Sequence, residues 1–414
     1  MTPYKILSLD GGGSWALLQS MALKEIYRNT KVGTKCKDIL QQFDVVVSNS
    51  GGSLMLAAMI ELYEKDIDEV TNLFLSEVVR KKVFSKLKWY EKNGFEHMAT
   101  ALGFGPQYKT SRKISALEEL LPETAKVPLT ALKLIRKDLP ENIIFCGFDY
   151  DRNRATFFRT NSASKSQPYT NQHEVSLAQA IHAASNAPIK YFDEPATFKI
   201  NNVLHQLWDG AVGGNNNPVL IGITEALALF DHARLDFHKL QVLSIGTANN
   251  LLPVKGFTIT DNAESPVLIK TIEKPKLSGA IEKMATSILS EPPDAANYMA
   301  HMFLGGKADE HAVPGIIRLN PLLQPVYSPV QNKWKYPEQL DADGRAIFES
   351  LLNLDMDAIE QKDVDHIRLL GEWWCNDFIV NQAIRVDSYK LQCNIGHATF
   401  SQAKLEWLKR TGLA

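Results

Sequence analysis

The hydrophobic and polar positions fall into repeated strand, turn and helix units. Val45-Val46-Val47 is an apolar, β-branched run that follows Phe43 and Asp44, and it ends abruptly in the small residues Ser48-Asn49-Ser50-Gly51-Gly52-Ser53. Helical apolar spacing then begins at Leu54 and continues through Met55, Leu56, Ala57, Ala58, Met59, Ile60 and Leu62. This predicts a buried strand, a tight turn and a helix. Upstream, Tyr4 to Leu9 reads as a first strand and Asp10-Gly11-Gly12-Gly13 as its turn. Leu17, Leu18, Met21, Ala22, Ile26 and Tyr27 then follow at helical spacing. Ile143 to Phe148 predicts a strand, with Ala155 to Arg159 returning after a turn. Val175 to Pro188 predicts a helix of small residues ended by proline. A short apolar segment breaks at Asp209-Gly210, and Pro218 opens another helix. Leu240 to Thr247 is a further buried strand.

Beyond residue 250 the pattern is less regular. Residues 251–280 read as loop, and Leu277 to Leu289, Ala295 to Leu304, Ile347 to Leu354 and Ile367 to Ile379 as helices, with a strand at Ile316 to Pro321. The longest apolar stretch, Leu54 to Leu62, is far shorter than the roughly 20 residues that span a bilayer. Any membrane contact is therefore expected to be peripheral.

Composition narrows the class. The chain has 414 residues, 45% hydrophobic and 22% charged, enough for a large core. Its net charge of −2 argues against binding a nucleic-acid polymer through a basic surface. The four cysteines, Cys36, Cys146, Cys375 and Cys393, are scattered without metal-ligand spacing, which predicts reduced thiols and a cytoplasmic protein. No metal and no cofactor is expected.

The candidate chemistry lies at the turns. Ser50 sits where a strand passes into a helix, so its hydroxyl projects from the strand end toward the helix N-terminus. This is the arrangement of a nucleophile elbow, crowded enough to need small neighbours. The three glycines after Asp10 leave backbone amides unobstructed at a helix start, a nest for negative charge. Two readings of that nest compete. Gly11-x-Gly13-x-x-Ala16 fits a permissive dinucleotide fingerprint. However, Ser48-Asn49-Ser50 stands where an acidic ribose-binding residue belongs, and Asp10 would lie next to a pyrophosphate. The other reading is an oxyanion hole made by Gly11, Gly12 and Gly13, with Gly12 held at backbone angles that an added Cβ would forbid. Asp209 is placed at a strand end to orient or deprotonate a serine. His182 lies among alanines and reads as a packed histidine. Lys86 to Lys92 mixes lysines with Trp89 and Tyr90. That mixture suits a lipid headgroup interface or a solvated helix face with one packed aromatic, the second being expected here.

Asp10-Gly11-Gly12-Gly13, the elbow around Ser50, Ala180 to Phe192 with Ser185-Asn186-Ala187-Pro188, and Asp209-Gly210-Ala211 occur in that order. Val242-Leu243-Ser244-Ile245-Gly246-Thr247 is a fifth, weaker block. Together they resemble the patatin-like phospholipases over roughly residues 4–250. The resemblance implies an α/β fold of three layers, α/β/α, with a mostly parallel central sheet. It also implies a Ser50–Asp209 dyad, an oxyanion hole at the glycine loop, and a membrane phospholipid or other glycerolipid ester as substrate. The expected division is 1–250 as catalytic domain and 251–414 as a mainly helical extension. The chain departs from the family pattern at Trp15, Ala16 and Ser48. Those departures leave a binding or scaffold protein on the same fold as the competing reading. Some bacterial proteins of similar architecture are defence effectors switched on by a nucleotide signal, so a small-molecule or protein activator is an expected partner by analogy.

Overall fold

The computed structural model describes residues 3–92, 105–161, 175–229, 239–248, 294–307, 315–328, 330–331, 333–352, 354–382, 384–386 and 393–414. The expected loop over 251–280 and helix over Leu277 to Leu289 lie outside these residues.

Eight strands form the central sheet: β1 Tyr4–Leu9, β2 Val45–Ser48, β3 Asn142–Asp149, β4 Arg154–Arg159, β5 Ala196–Ile200, β6 Val203–Asp209, β7 Leu240–Ile245 and β8 Ile316–Leu319. Their order is β5-β6-β3-β2-β1-β7-β8, with β4 paired to β3. The pairs β3–β2, β2–β1, β1–β7 and β7–β8 are parallel. Those of β4 and β6 with β3, and of β5 with β6, are antiparallel. The sheet thus draws on both sides of residue 250.

Alternation along the central strands explains the layers, because successive side chains point to opposite faces. Leu7, Leu9, Val46, Phe145, Leu243 and Ile245 share one core with residues of the helices Leu17–Tyr27, Ser50–Glu61, Leu177–Ala184, Gln361–Cys375 and Phe400–Thr411. Ile6, Val45, Val47, Ile144, Cys146 and Val242 face the other way, onto the helix Val219–Leu229 and the helical residues 294–303. This is a three-layer α/β/α sandwich with a mostly parallel sheet, as expected from the sequence.

The local differences have physical reasons. The helix after β2 starts at Ser50, not at Leu54, because Gly51 and Gly52 form its first turn. The helices expected at Ile347 to Leu354 and Ile367 to Ile379 run Ala342–Leu352 and Gln361–Cys375. Polar first turns hid both starts from the apolar spacing. The stretch around Trp89 is a short turn, Trp89–Glu91, rather than a helix face. Both aromatics are exposed, Trp89 at 79% and Tyr90 at 71%.

Candidate active site

The topology brings the two ends of the site together. The last paired residue of β2, Ser48, lies opposite Phe145 of β3. Two residues further along β3, Gly147 pairs with Asp209, the end of the antiparallel β6. Strands β2 and β6 therefore point their carboxyl ends at each other along one edge of β3. The junction is closed by Asn49, whose Nδ2 donates to Asp209 Oδ1 at 2.9 Å.

Ser50 follows with φ +46°, in the left-handed region that a non-glycine residue rarely occupies. Local strain of this kind persists only where the surroundings enforce it. Here the enforcing contact is a close backbone approach. A Cβ on Gly51 would stand 2.4 Å from the Gly13 carbonyl oxygen, and one on Gly52 2.7 Å from those of Leu9 and Asp10. Ser50 is partly exposed, whereas Ser48 and Ser53 are buried with their hydroxyls 3.1 Å apart. Ser48 stands at the first elbow position as an ordinary strand residue, so no glycine is needed there.

Asp209 is almost fully buried. Its Oδ1 accepts from Asn49 and from the Ala211 amide, each at 2.9 Å, whereas Oδ2 is buried with no hydrogen-bond partner among the described residues. The Ser50 hydroxyl is near enough to favour the carboxylate, although no hydrogen bond of ordinary length and angle joins them. Burial raises the Asp209 pKa above the usual carboxylate value, opposed by the Ala211 amide, Ser50, Asn49 and the charge of Lys113.

The glycine loop passes beside Ser50. A Cβ on Gly11 would lie 2.8 Å from that of Ser50. Of the three expected donors, the Gly11 amide is engaged with the Asn216 carbonyl at 2.8 Å. Among the described residues no such bond is made by the Gly12 or Gly13 amide. Gly12 has φ 163°, extended backbone open to any residue, so the expectation of forbidden angles is corrected. What excludes a side chain there is Thr247, whose Oγ1 would stand 2.1 Å from a Cβ while it donates to the Gly11 carbonyl at 2.7 Å. Gly13 has φ +55° and does require glycine. The dinucleotide reading fits this loop poorly. Gly11 and Ser14 amides are both used within the chain, the latter on the Met356 carbonyl at 3.0 Å. Asp10 is paired with Arg318 at 2.6 Å.

Sequence reasoning missed the opposite wall. A pocket of about 340 Å³ opens at Ser50 between Gly13, Leu54, Phe84, Ser185, Tyr191 and the segment Met356-Asp357. Trp15 Nε1 donates to the Asp355 carbonyl at 3.0 Å, and Asp357 accepts from the Tyr108 hydroxyl. Leu54 and Phe84 also line a second cavity, of about 570 Å³, whose walls are apolar apart from Ser14 and Arg80. His182 is buried with Nδ1 unpartnered among the described residues, and burial together with Lys113 pushes its pKa well below the usual imidazole value. No hydrogen bond among the described residues joins it to Ser50 or Asp209.

A strained serine at a strand–helix turn, on a mostly parallel sheet, defines an α/β protein of the hydrolase-elbow type. The sequence profile of the family described as patatin-like phospholipase matches residues 7–223, more than half of the chain. The chain belongs to that family. Among solved structures it is similar to human GIVD cytosolic phospholipase A2 in complex with methyl gamma-linolenyl fluorophosphonate, at 10% identity and a TM-score of 0.39. That match covers 99% of this chain and 60% of the human one. It is also similar to VipD from Legionella pneumophila, at 11% identity and a TM-score of 0.33, over 90% of this chain and 67% of that one. No curated protein matches the chain.

Proposed function

We propose that this protein is a serine lipid acyl hydrolase of the phospholipase A type. It would cleave glycerolipid esters through Ser50 and Asp209. The observation that supports this most is the junction of the strained Ser50 with a buried Asp209 oxygen that has no hydrogen-bond partner among the described residues. Ser50 Oγ attacks the ester carbonyl carbon and its proton passes to Asp209 Oδ2. The amides of Gly12 and Gly13 face the developing oxyanion, assisted by the Gly51 amide at the helix start. The carbonyl re-forms, the bond to the alkoxy leaving group breaks, and Asp209 returns the proton to that group. Water then attacks the acyl-enzyme, again giving its proton to Asp209, and the fatty acid leaves as Ser50 is regenerated. The apolar cavity beside the Ser50 pocket suits an acyl chain.

The substrate would be met at a membrane surface from the cytoplasmic side. No described helix is long and apolar enough to cross a membrane. Trp89 and Tyr90, flanked by lysines, are exposed in the manner of headgroup-contacting aromatics. The test is covalent labelling with a fluorophosphonate, read by peptide mapping, alongside fatty-acid release from phosphatidylcholine and phosphatidylglycerol vesicles. A label on Ser50 with fatty-acid release is expected. A purified chain that neither labels at Ser50 nor releases fatty acid from either vesicle overturns the reading.

A further inference from the structure

A buried lysine stands behind the acid of the site. Lys113, on the helix Thr110–Leu120, is fully buried. A buried ammonium is strongly disfavoured unless hydrogen-bonded and matched by an opposite charge. Its Nζ donates to the carbonyl of Ser185 and lies 4.2 Å from the ring centre of Phe192. Both residues line the Ser50 pocket. The next carbonyl, that of Asn186, accepts the backbone N–H of Asp209 at 3.1 Å. The ammonium and the Asp209 backbone are thus tied to the adjacent carbonyls of Ser185 and Asn186, just past the end of the helix Leu177–Ala184.

The surrounding charges single out this pairing. Burial pushes the Lys113 pKa down, and the charge of Asp209 pulls it back up. Burial likewise raises that of Asp209, and Lys113 is the cation that opposes it. On the lysine side, His182 also faces the ammonium and is held neutral. On the acid side stand Cys146 of β3, whose pKa is pushed up by burial, Asp209 and Glu225 against Arg159, and Tyr191, whose pKa is pushed up by burial, Asp357, Asp355 and Asp209, so both remain neutral.

We propose that Lys113 is the counter-charge that keeps Asp209 ionised and ready to accept the Ser50 proton. It is a positioning residue, and its role rests on the reading of Ser50 and Asp209 given above. Lys113 never touches the substrate in this scheme. It acts through the carboxylate, and the Ser185 carbonyl and the Phe192 ring hold it in place.

The experiment follows the rate of fluorophosphonate labelling at Ser50 against pH in the full chain, for wild type, Lys113→Arg and Lys113→Met. An opposite charge within about 4–6 Å moves a carboxyl pKa by about 1–3 units. Lys113→Met is therefore expected to shift the acid limb upward by at least about one pH unit, with the deficit shrinking as pH rises. Lys113→Arg, which keeps the charge, is expected to leave the limb nearer its wild-type position. A limb unmoved in Lys113→Met overturns the proposal.

Should Lys113→Met fail to fold, urea denaturation of Asp209→Asn and of Lys113→Met/Asp209→Asn decides. The double variant loses both charges and is expected to be the more stable of the two. A double variant less stable than Asp209→Asn overturns the pairing. Absence of Ser50 labelling in the wild type is a separate result: it removes the hydrolase reading and with it the role of Lys113 in catalysis. The urea comparison still tests the ion pair.

Discussion

One side of the Ser50 pocket is made by the end of β2, the start of the helix Ser50–Glu61 and the loop Asp10 to Gly13. The other side is made by Met356 and Asp357, which arrive from the far end of the chain. The first side works through side-chain size and type. Glycines permit backbone contact, a serine carries the hydroxyl, and Asn49 ties the elbow to Asp209. The second side works largely through main-chain carbonyls. Asp355 O accepts from Trp15, Met356 O from Ser14, and Ile359 O from Arg80 Nε at 3.0 Å. Any residue type supplies a carbonyl, so such a wall can vary in sequence and keep its contacts. The comparison predicts that substitutions on the elbow side act on chemistry and those on the far side act on stability.

The largest effect is expected from Ser50→Ala. It should reduce fatty-acid release by roughly 10³-fold or more and abolish labelling, with little change in the urea midpoint, because one hydroxyl is removed from a partly exposed position. Retained turnover would move the nucleophile away from the elbow. Asp209→Asn comes next. It keeps the shape and the accepting oxygen but removes the base, for a loss of about 10²–10⁴-fold. The wild-type profile carries a related expectation. The Asp209 pKa is raised by burial, and the carboxylate is the active form. Activity should therefore rise with pH through a limb lying above the ordinary carboxylate value, and a limb at or below that value would contradict the assignment.

Gly12→Ala tests the loop itself. Its Cβ would meet Thr247 Oγ1 at 2.1 Å, so the loop or Thr247 must shift. Displaced oxyanion donors raise the barrier by about 2.7–4 kcal/mol, or roughly 100- to 1,000-fold in turnover. Tight binding of a nicotinamide or flavin cofactor that is lost only in this variant would favour the dinucleotide reading instead. A companion variant sharpens the cause. Thr247→Ala removes the hydroxyl that a Cβ would strike, so Gly12→Ala/Thr247→Ala should recover part of the loss.

The legibility of the sequence follows the same division. β1, β2 and β7 were readable because buried parallel strands are continuous apolar runs. Ser50 and Asp209 were readable because each stands where such a run stops. The helix start at Ser50 was not, because Gly51 and Gly52 are poor helix formers placed there by contact with Gly13 and Asp10, a tertiary demand that outweighs propensity. The engagement of the Gly11 amide by Asn216 was equally hidden, since the partner is a carbonyl about 200 residues away. Lys113 carried no signal either. In the sequence it is one cation on a polar helix, and only folding reveals that it is buried against Ser185 and Phe192.

The smallest effect is expected at the hinge between the two sides. Trp15 is 5% exposed and is one of the positions at which the chain departs from the family pattern. Its indole N–H reaches across to the Asp355 carbonyl. Trp15→Phe keeps most of the buried ring and deletes that one bond, leaving a carbonyl without its donor. A lost hydrogen bond of this type costs about 0.5–1.5 kcal/mol, which should appear as a lower urea midpoint. Nearby, Lys190 and Asp355 form a half-exposed ion pair at 2.6 Å, worth about 0–1 kcal/mol, that still holds the segment on its other flank. Turnover in Trp15→Phe should therefore fall far less than in Gly12→Ala. Equal losses in the two variants would show that the 355–357 wall shapes the reacting centre itself, and the division between a chemical side and a structural side would not stand.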